Sequence, residues 1–130
     1  MILVDSSVWI AHLRGQRTPA TAKLEIVAGR EPLLIGDLIL LEVLQGARDE
    51  AHAAQIERSL RRYDLVPLLG SDLAPRVARN YRKLRELGIT IRKTADIIII
   101  GTFCIEHRQA LLHDDRDFAP MEEHLGLISV

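Results

Sequence analysis

The sequence predicts an α/β fold built on a mostly parallel sheet. Three observations carry that expectation. The short runs Ile2-Leu3-Val4, Leu33-Leu34-Ile35 and Ala110-Leu111-Leu112 are continuously apolar, as strands buried on both faces are. Longer stretches of helical spacing separate them. Strands separated by helices need crossover connections, which give parallel pairing with helices on both faces.

Each element follows in order. After Ile2-Leu3-Val4, Ser6 or Ser7 is expected to cap a helix running to about Arg14, with Gly15 ending it. Leu24, Val27 and Ala28 have helical spacing, and Gly29 stops that helix. After Leu33-Leu34-Ile35, Asp37 is expected to cap a helix to Gln45, closed by Gly46. Residues 49–62 are polar with a helical period. Tyr63 to Leu68 reads as a strand whose Pro67 marks an end or an edge position. Leu73, Val77, Tyr81, Leu84 and Leu87 share one face of a long helix that Gly88 ends. Thr94 or Asp96 starts a helix that is apolar nearly all round from Ile97 to Ile105, and therefore buried. Ala110-Leu111-Leu112 and Leu127 to Val130 are the last two strands expected.

A chain of 130 residues with 48 % apolar side chains fits a single domain over 1–130. That apolar content excludes a disordered tail. The single cysteine, Cys104, lies in an apolar run, so it reads as a buried free thiol. The N-terminus has no basic region before its apolar residues, and Asp5 interrupts them. The run Ile97 to Ile100 is far shorter than the roughly 20 residues a membrane span needs. A cytoplasmic protein is expected, with no membrane partner.

The net charge of −1 lacks the crude signature of a nucleic-acid binder. Yet the charges are segregated. Residues 76–93 hold seven basic side chains against Glu86 alone, a net of +6, whereas residues 106–124 carry a net of −4. The basic stretch is either a solvated helix face or a surface that contacts phosphates.

The most informative residues are acids in apolar company. Asp5 ends the first strand, Glu42 lies within Leu38 to Leu44, Asp96 precedes four isoleucines, and Asp115 and Asp117 follow the last internal strand. An isolated carboxylate is costly to bury, so such groups are paired, protonated or bound to a cation. Asp5 and Asp96 could instead be helix caps, Glu42 part of a polar stripe, and Asp115 and Asp117 turn residues. Taken jointly, acids placed along one rim of a parallel sheet suit a hard divalent cation such as Mg²⁺ or Mn²⁺. Other chemistries lack their motifs. There is no HExxH, no cysteine-rich zinc set, no phosphate-binding loop and no GxSxG elbow. His113 is the one histidine near the acids, with either a substrate role or a local packing or turn role.

These residues resemble the PIN-domain ribonucleases, and within them the VapC-type toxins of toxin–antitoxin pairs. The resemblance is carried by Met1 to Ile10 with Leu13-Arg14-Gly15, by Glu42 with Gly46, by Asp96 leading an aliphatic helix, and by Leu111-Leu112-His113 followed by Asp115 to Phe118. It implies a three-layer α/β/α PIN-like domain with a mostly parallel central sheet. It also implies an acidic quartet of Asp5, Glu42, Asp96 and Asp115, binding Mg²⁺ or Mn²⁺. Asp117 is then an accessory acid, Ser6 contributes a hydroxyl, and the adjacent Asp114 competes with Asp115 for the fourth place. The implied activity is endoribonuclease cleavage of transfer, ribosomal or messenger RNA, with a 5′-phosphate and a 3′-hydroxyl as products. The implied partners are a VapB-type antitoxin and a second copy in a homodimer. Two rivals differ in kind. A non-catalytic PIN-like RNA- or protein-binding module would tolerate a broken quartet. An aspartyl phosphatase would want a second acid two residues after Asp5, where Ser7 stands.

Overall fold

The computed structural model describes residues 1–92 and 94–130, with the side chains of 94 and 95 left aside. The elements run β1 (Ile2–Val4), α1 (Ser6–Leu13), α2 (Pro19–Ala28), β2 (Leu33–Gly36), α3 (Asp37–Gln45), α4 (Glu50–Leu60), β3 (Asp64–Val66), α5 (Ala74–Glu86), α6 (Thr94–His107), β4 (Ala110–Leu112), a 3₁₀ turn (Arg116–Phe118) and α7 (Ala119–Leu125). The four strands form one sheet in the order β3-β2-β1-β4, and every pairing is parallel. Helices α1 to α4 pack among themselves, as do α5, α6 and α7. The result is the α/β/α arrangement expected of the sequence.

Continuous aliphatic runs form the central strands because both faces are covered. Ile2, Leu3, Val4, Leu33, Leu34, Ile35, Leu111 and Leu112 are all buried. The outer strand β3 is more exposed, and it stops before Pro67, whose missing N–H cannot extend a ladder. Residues 127–130, expected as a fifth strand, make only one bridge, between Ser129 and Leu111. In the three-residue β4, Leu111 sends its backbone outward, accepting from Val130 and donating to Ile128. Leu112 faces β1 instead, where its carbonyl accepts from Asp5.

The caps differ from expectation in two places. Neither Ser6 nor Ser7 caps α1. Asp5 does so, its carboxylate accepting from the Ser7 amide. Asp37 is not the cap of α3 but its first residue, preceded by Gly36. Its Oδ1 accepts from Leu38 and from Leu68, which ties the segment after β3 to the start of α3. Gly36 is required there, because a Cβ would collide with the buried Leu68 side chain. Leu87, expected on the packed face of α5, lies beyond the helix and is exposed, while Leu73 and Leu84 are buried. Helix α6 is the buried one, with Ile97, Ile98, Ile99, Ile100, Phe103 and Cys104 in the core. Among the described residues, no helix is long and apolar enough to cross a membrane.

Candidate active site

In a parallel sheet, every strand delivers its carboxyl end to the same edge. The chain winds from β1 outward to β2 and β3, then returns to place β4 on the other side of β1. The strand order therefore reverses between β1 and β4, and such a switch point leaves a crevice beyond the strand ends. Asp5 follows β1 and Asp115 follows β4, so the topology alone brings these two acids together. Helix α3 contributes Glu42, and the first turn of α6 contributes Asp96.

These four acids line one cavity of about 230 Å³ with Ser6 and Ser7, and Ile10 and Ile97 supply apolar walls. Asp114 and Asp117 do not line it. Both are exposed, whereas Asp115 is half-buried. Lys93, the last of the basic run, lies outside the described residues. Larger grooves exist elsewhere on the surface, but none of the four acids lines them.

The hydroxyls organise the acids. Ser6 Oγ donates to Glu42 Oε2 at 3.1 Å, linking the start of α1 to α3. Ser7 Oγ donates to Asp5 Oδ2 at 2.7 Å and accepts from the Asp114 amide at 3.1 Å, linking β1 to the loop after β4. Asp115 Oδ1 accepts from the Asp117 amide at 2.9 Å, which closes the 3₁₀ turn. The sequence reading missed this part of Ser7, whose hydroxyl meets an amide 107 residues away. The one local signal was its spacing, two residues after an aspartate, where the amide and hydroxyl can both meet the carboxylate.

Asp5 is only 5 % exposed, and burial pushes its carboxyl above the ordinary value of 3.8. Hydrogen bonds from Ser7 and Ser6 partly oppose that rise, and the Asp115 charge adds to it. The cavity thus holds a carboxylate whose charge is costly where it stands. The oxygen-only donor set suits a hard divalent cation rather than a thiolate or imidazole metal. As the side chains stand, however, no three acid, histidine or cysteine groups among the described residues are close enough together to hold one ion. Cys104 contributes no reactivity. Burial pushes its thiol up to about 12, with Asp5 adding to the effect.

Comparison with known proteins agrees with the architecture. The PIN domain profile matches residues 2–123. The chain is 30 % identical to ribonuclease VapC11 of Mycobacterium tuberculosis over 123 residues, 91 % of this chain and 89 % of that protein. It has the same identity and coverage with VapC ribonuclease Mb1587 of Mycobacterium bovis. Among solved structures, it superposes on VapBC2 from Rickettsia felis, bound to a promoter DNA fragment, with a TM-score of 0.78 at 14 % identity, covering 100 % of this chain and 98 % of that one. The FitAcB structure from Neisseria gonorrhoeae gives a TM-score of 0.74 at 15 % identity, covering 99 % and 96 %. By profile and by sequence identity, this chain belongs to the PIN domain family and, within it, to the VapC ribonucleases.

Proposed function

We propose that this chain is the toxin of a toxin–antitoxin pair, acting as a metal-dependent endoribonuclease through Asp5, Glu42, Asp96 and Asp115. The observation that carries this reading is the convergence of those four acids on one cavity at the switch point of the sheet. They come from four separate elements, a placement that no local turn or cap explains for all of them at once.

The four carboxylates would hold Mg²⁺ or Mn²⁺. Such an ion, when bound, supplies positive charge against the phosphate and the leaving oxygen and makes water acidic enough to attack. The chain's own groups do the rest. Ser6 holds the Glu42 carboxylate in place, and Ser7 holds that of Asp5. Ile10 and Ile97 keep one side of the cavity apolar, so charge interactions inside it are less screened. The attacking water forms a bond to phosphorus as the bond to the 3′ oxygen breaks, which leaves a 5′-phosphate and a 3′-hydroxyl. Asp117 is an accessory acid acting through the 3₁₀ turn. Asp114 is the weaker candidate for the fourth place, because it stands outside the cavity lining.

The substrate is RNA, whether transfer, ribosomal or messenger. The exposed basic face of α5, which includes Arg79, Arg82 and Lys83, meets its phosphates. The partners are a VapB-type antitoxin and a second copy of the chain, and the setting is the cytoplasm. Residues 1–130 form a single domain that holds this site. The antitoxin reading is supported by the likeness of the fold to the VapBC2 and FitAcB structures. The deciding experiment is D96N assayed on structured RNA with Mg²⁺ or Mn²⁺. A folded variant that cleaves as fast as the parent removes the quartet as the catalytic group, whereas a parent that cleaves no RNA with either ion leaves the non-catalytic binding module standing.

A further inference from the structure

We propose that His113 is a positioning residue that sets the backbone carrying Asp115 and so presents that carboxylate to the cavity. The inference rests on the metal-site reading above. His113 Nδ1 accepts the backbone N–H of Asp115 at 3.1 Å. A ring nitrogen that accepts carries no proton, so the imidazole is in its Nε2–H form. Nε2–H donates to Glu122 Oε1 at 2.9 Å, with Ser129 Oγ at 3.2 Å. The ring lies against Phe118 with centroids 4.6 Å apart, and the side chain is only 13 % exposed. The 3₁₀ turn, α7 and the segment after α7 therefore all fix the imidazole, and the imidazole fixes the amide.

The hydrogen bond joins a side chain to the amide two residues on, the bracket that Asp and Asn make in turns. Asp115 repeats it with Asp117. The amide of Asp114, between His113 and Asp115, is taken by Ser7 Oγ. Side-chain acceptors thus hold the amides of 114, 115 and 117, and the direction of the Asp115 side chain follows from those three bonds. His113 supplies the one that acts on Asp115 itself. Its contact with Glu122 is the kind of outer hydrogen bond that orients a ligand rather than being one.

The test separates the two ring nitrogens. Asparagine places an acceptor where Nδ1 stands, whereas glutamine reaches the Nε2 position and keeps only the Glu122 contact. H113N and H113Q are compared with the parent for Mn²⁺ binding by calorimetry and for hydrogen exchange of the Asp115 amide by NMR. Circular dichroism in the absence of metal checks folding. H113N is expected to bind Mn²⁺ within about threefold of the parent and to keep the Asp115 amide protected. H113Q is expected to bind about 10-fold to 100-fold more weakly, the range seen when an orienting partner is lost, with that amide exchanging fast. H113N and H113Q behaving alike overturns the positioning role. E122L loosens the ring without touching residue 113. It is expected to shift Mn²⁺ binding in the same direction as H113Q, and it decides the matter where H113Q does not fold; parental binding by E122L also overturns the role. A parent chain that binds no Mn²⁺ overturns the metal reading instead, a failure seen before any variant is made.

Discussion

Asp5 serves two purposes that pull on its ionisation in opposite directions. As the cap of α1, its carboxylate accepts from the Ser7 amide, which favours the charged form. As a buried group beside Asp115, it is held above the ordinary value of 3.8, with desolvation the larger cause. The folded chain therefore binds a proton at Asp5 more tightly than the unfolded chain does. Without metal, stability must fall as the pH rises from 3.8 through the raised value, and the penalty is fully present above it. D5N removes the charge yet keeps an oxygen to cap α1. Metal-free D5N is thus expected to unfold at higher urea than the parent at pH 7, with the gap closing below about pH 4. Urea titrations across that range check it, and a parent more stable than D5N at pH 7 reverses the sign. The same variant should lose cleavage by at least about 100-fold, since loss of a ligand exceeds the 10–100-fold cost of losing its outer partner.

At the scale of elements, α5 and α6 make opposite predictions about access. Helix α6 buries Cys104 completely, and burial pushes its thiol up to about 12. A thiol reagent at pH 8 should leave the native chain unlabelled and label it fully in urea; native labelling would mean that α6 opens. Helix α5 is the exposed one. Arg76 pairs with Glu106, and Arg85 stacks over Tyr81 at 5.8 Å, whereas Arg79, Arg82 and Lys83 are exposed. Alanine at those three should weaken RNA binding and lower the salt slope by roughly 0.7 for each phosphate no longer neutralised, while leaving Mn²⁺ binding as in the parent. An unchanged slope would make this a solvated face only. The elements themselves were legible because aliphatic runs such as Leu33-Leu34-Ile35 permit few readings. The caps were less so, since Asp5, Ser6 and Ser7 are all good cap residues and only tertiary packing chooses among them. The gathering of Asp5, Glu42, Asp96 and Asp115 could be anticipated from strand ends and motif order. The roles of Ser7 and His113 could not, because they depend on bonds to Asp114 and Glu122 that form only once β4 lies beside β1 and α7 has folded back.

For the whole molecule, a net charge of −1 conceals an uneven surface. The acids that offset the basic stretch include four that converge on one cavity, and a cation bound there would lower their mutual repulsion and offset the burial cost at Asp5. Binding to the folded chain alone stabilises it by RT ln(1 + [L]/Kd), about 2.7 kcal/mol at a hundredfold excess over Kd. For a chain of 130 residues, that corresponds to a rise in melting temperature of roughly 5–15 °C. Mn²⁺ is therefore expected to raise the melting temperature of the parent by that amount, and that of D96N or D5N by much less. NaCl at matched ionic strength controls for generic screening of the acidic 106–124 segment. A rise common to the parent and both variants would place the bound cation outside the cavity. No rise in the parent would leave four acids converging on one cavity without a cation to offset the burial of Asp5, and would favour a binding module that shares the PIN architecture without its chemistry.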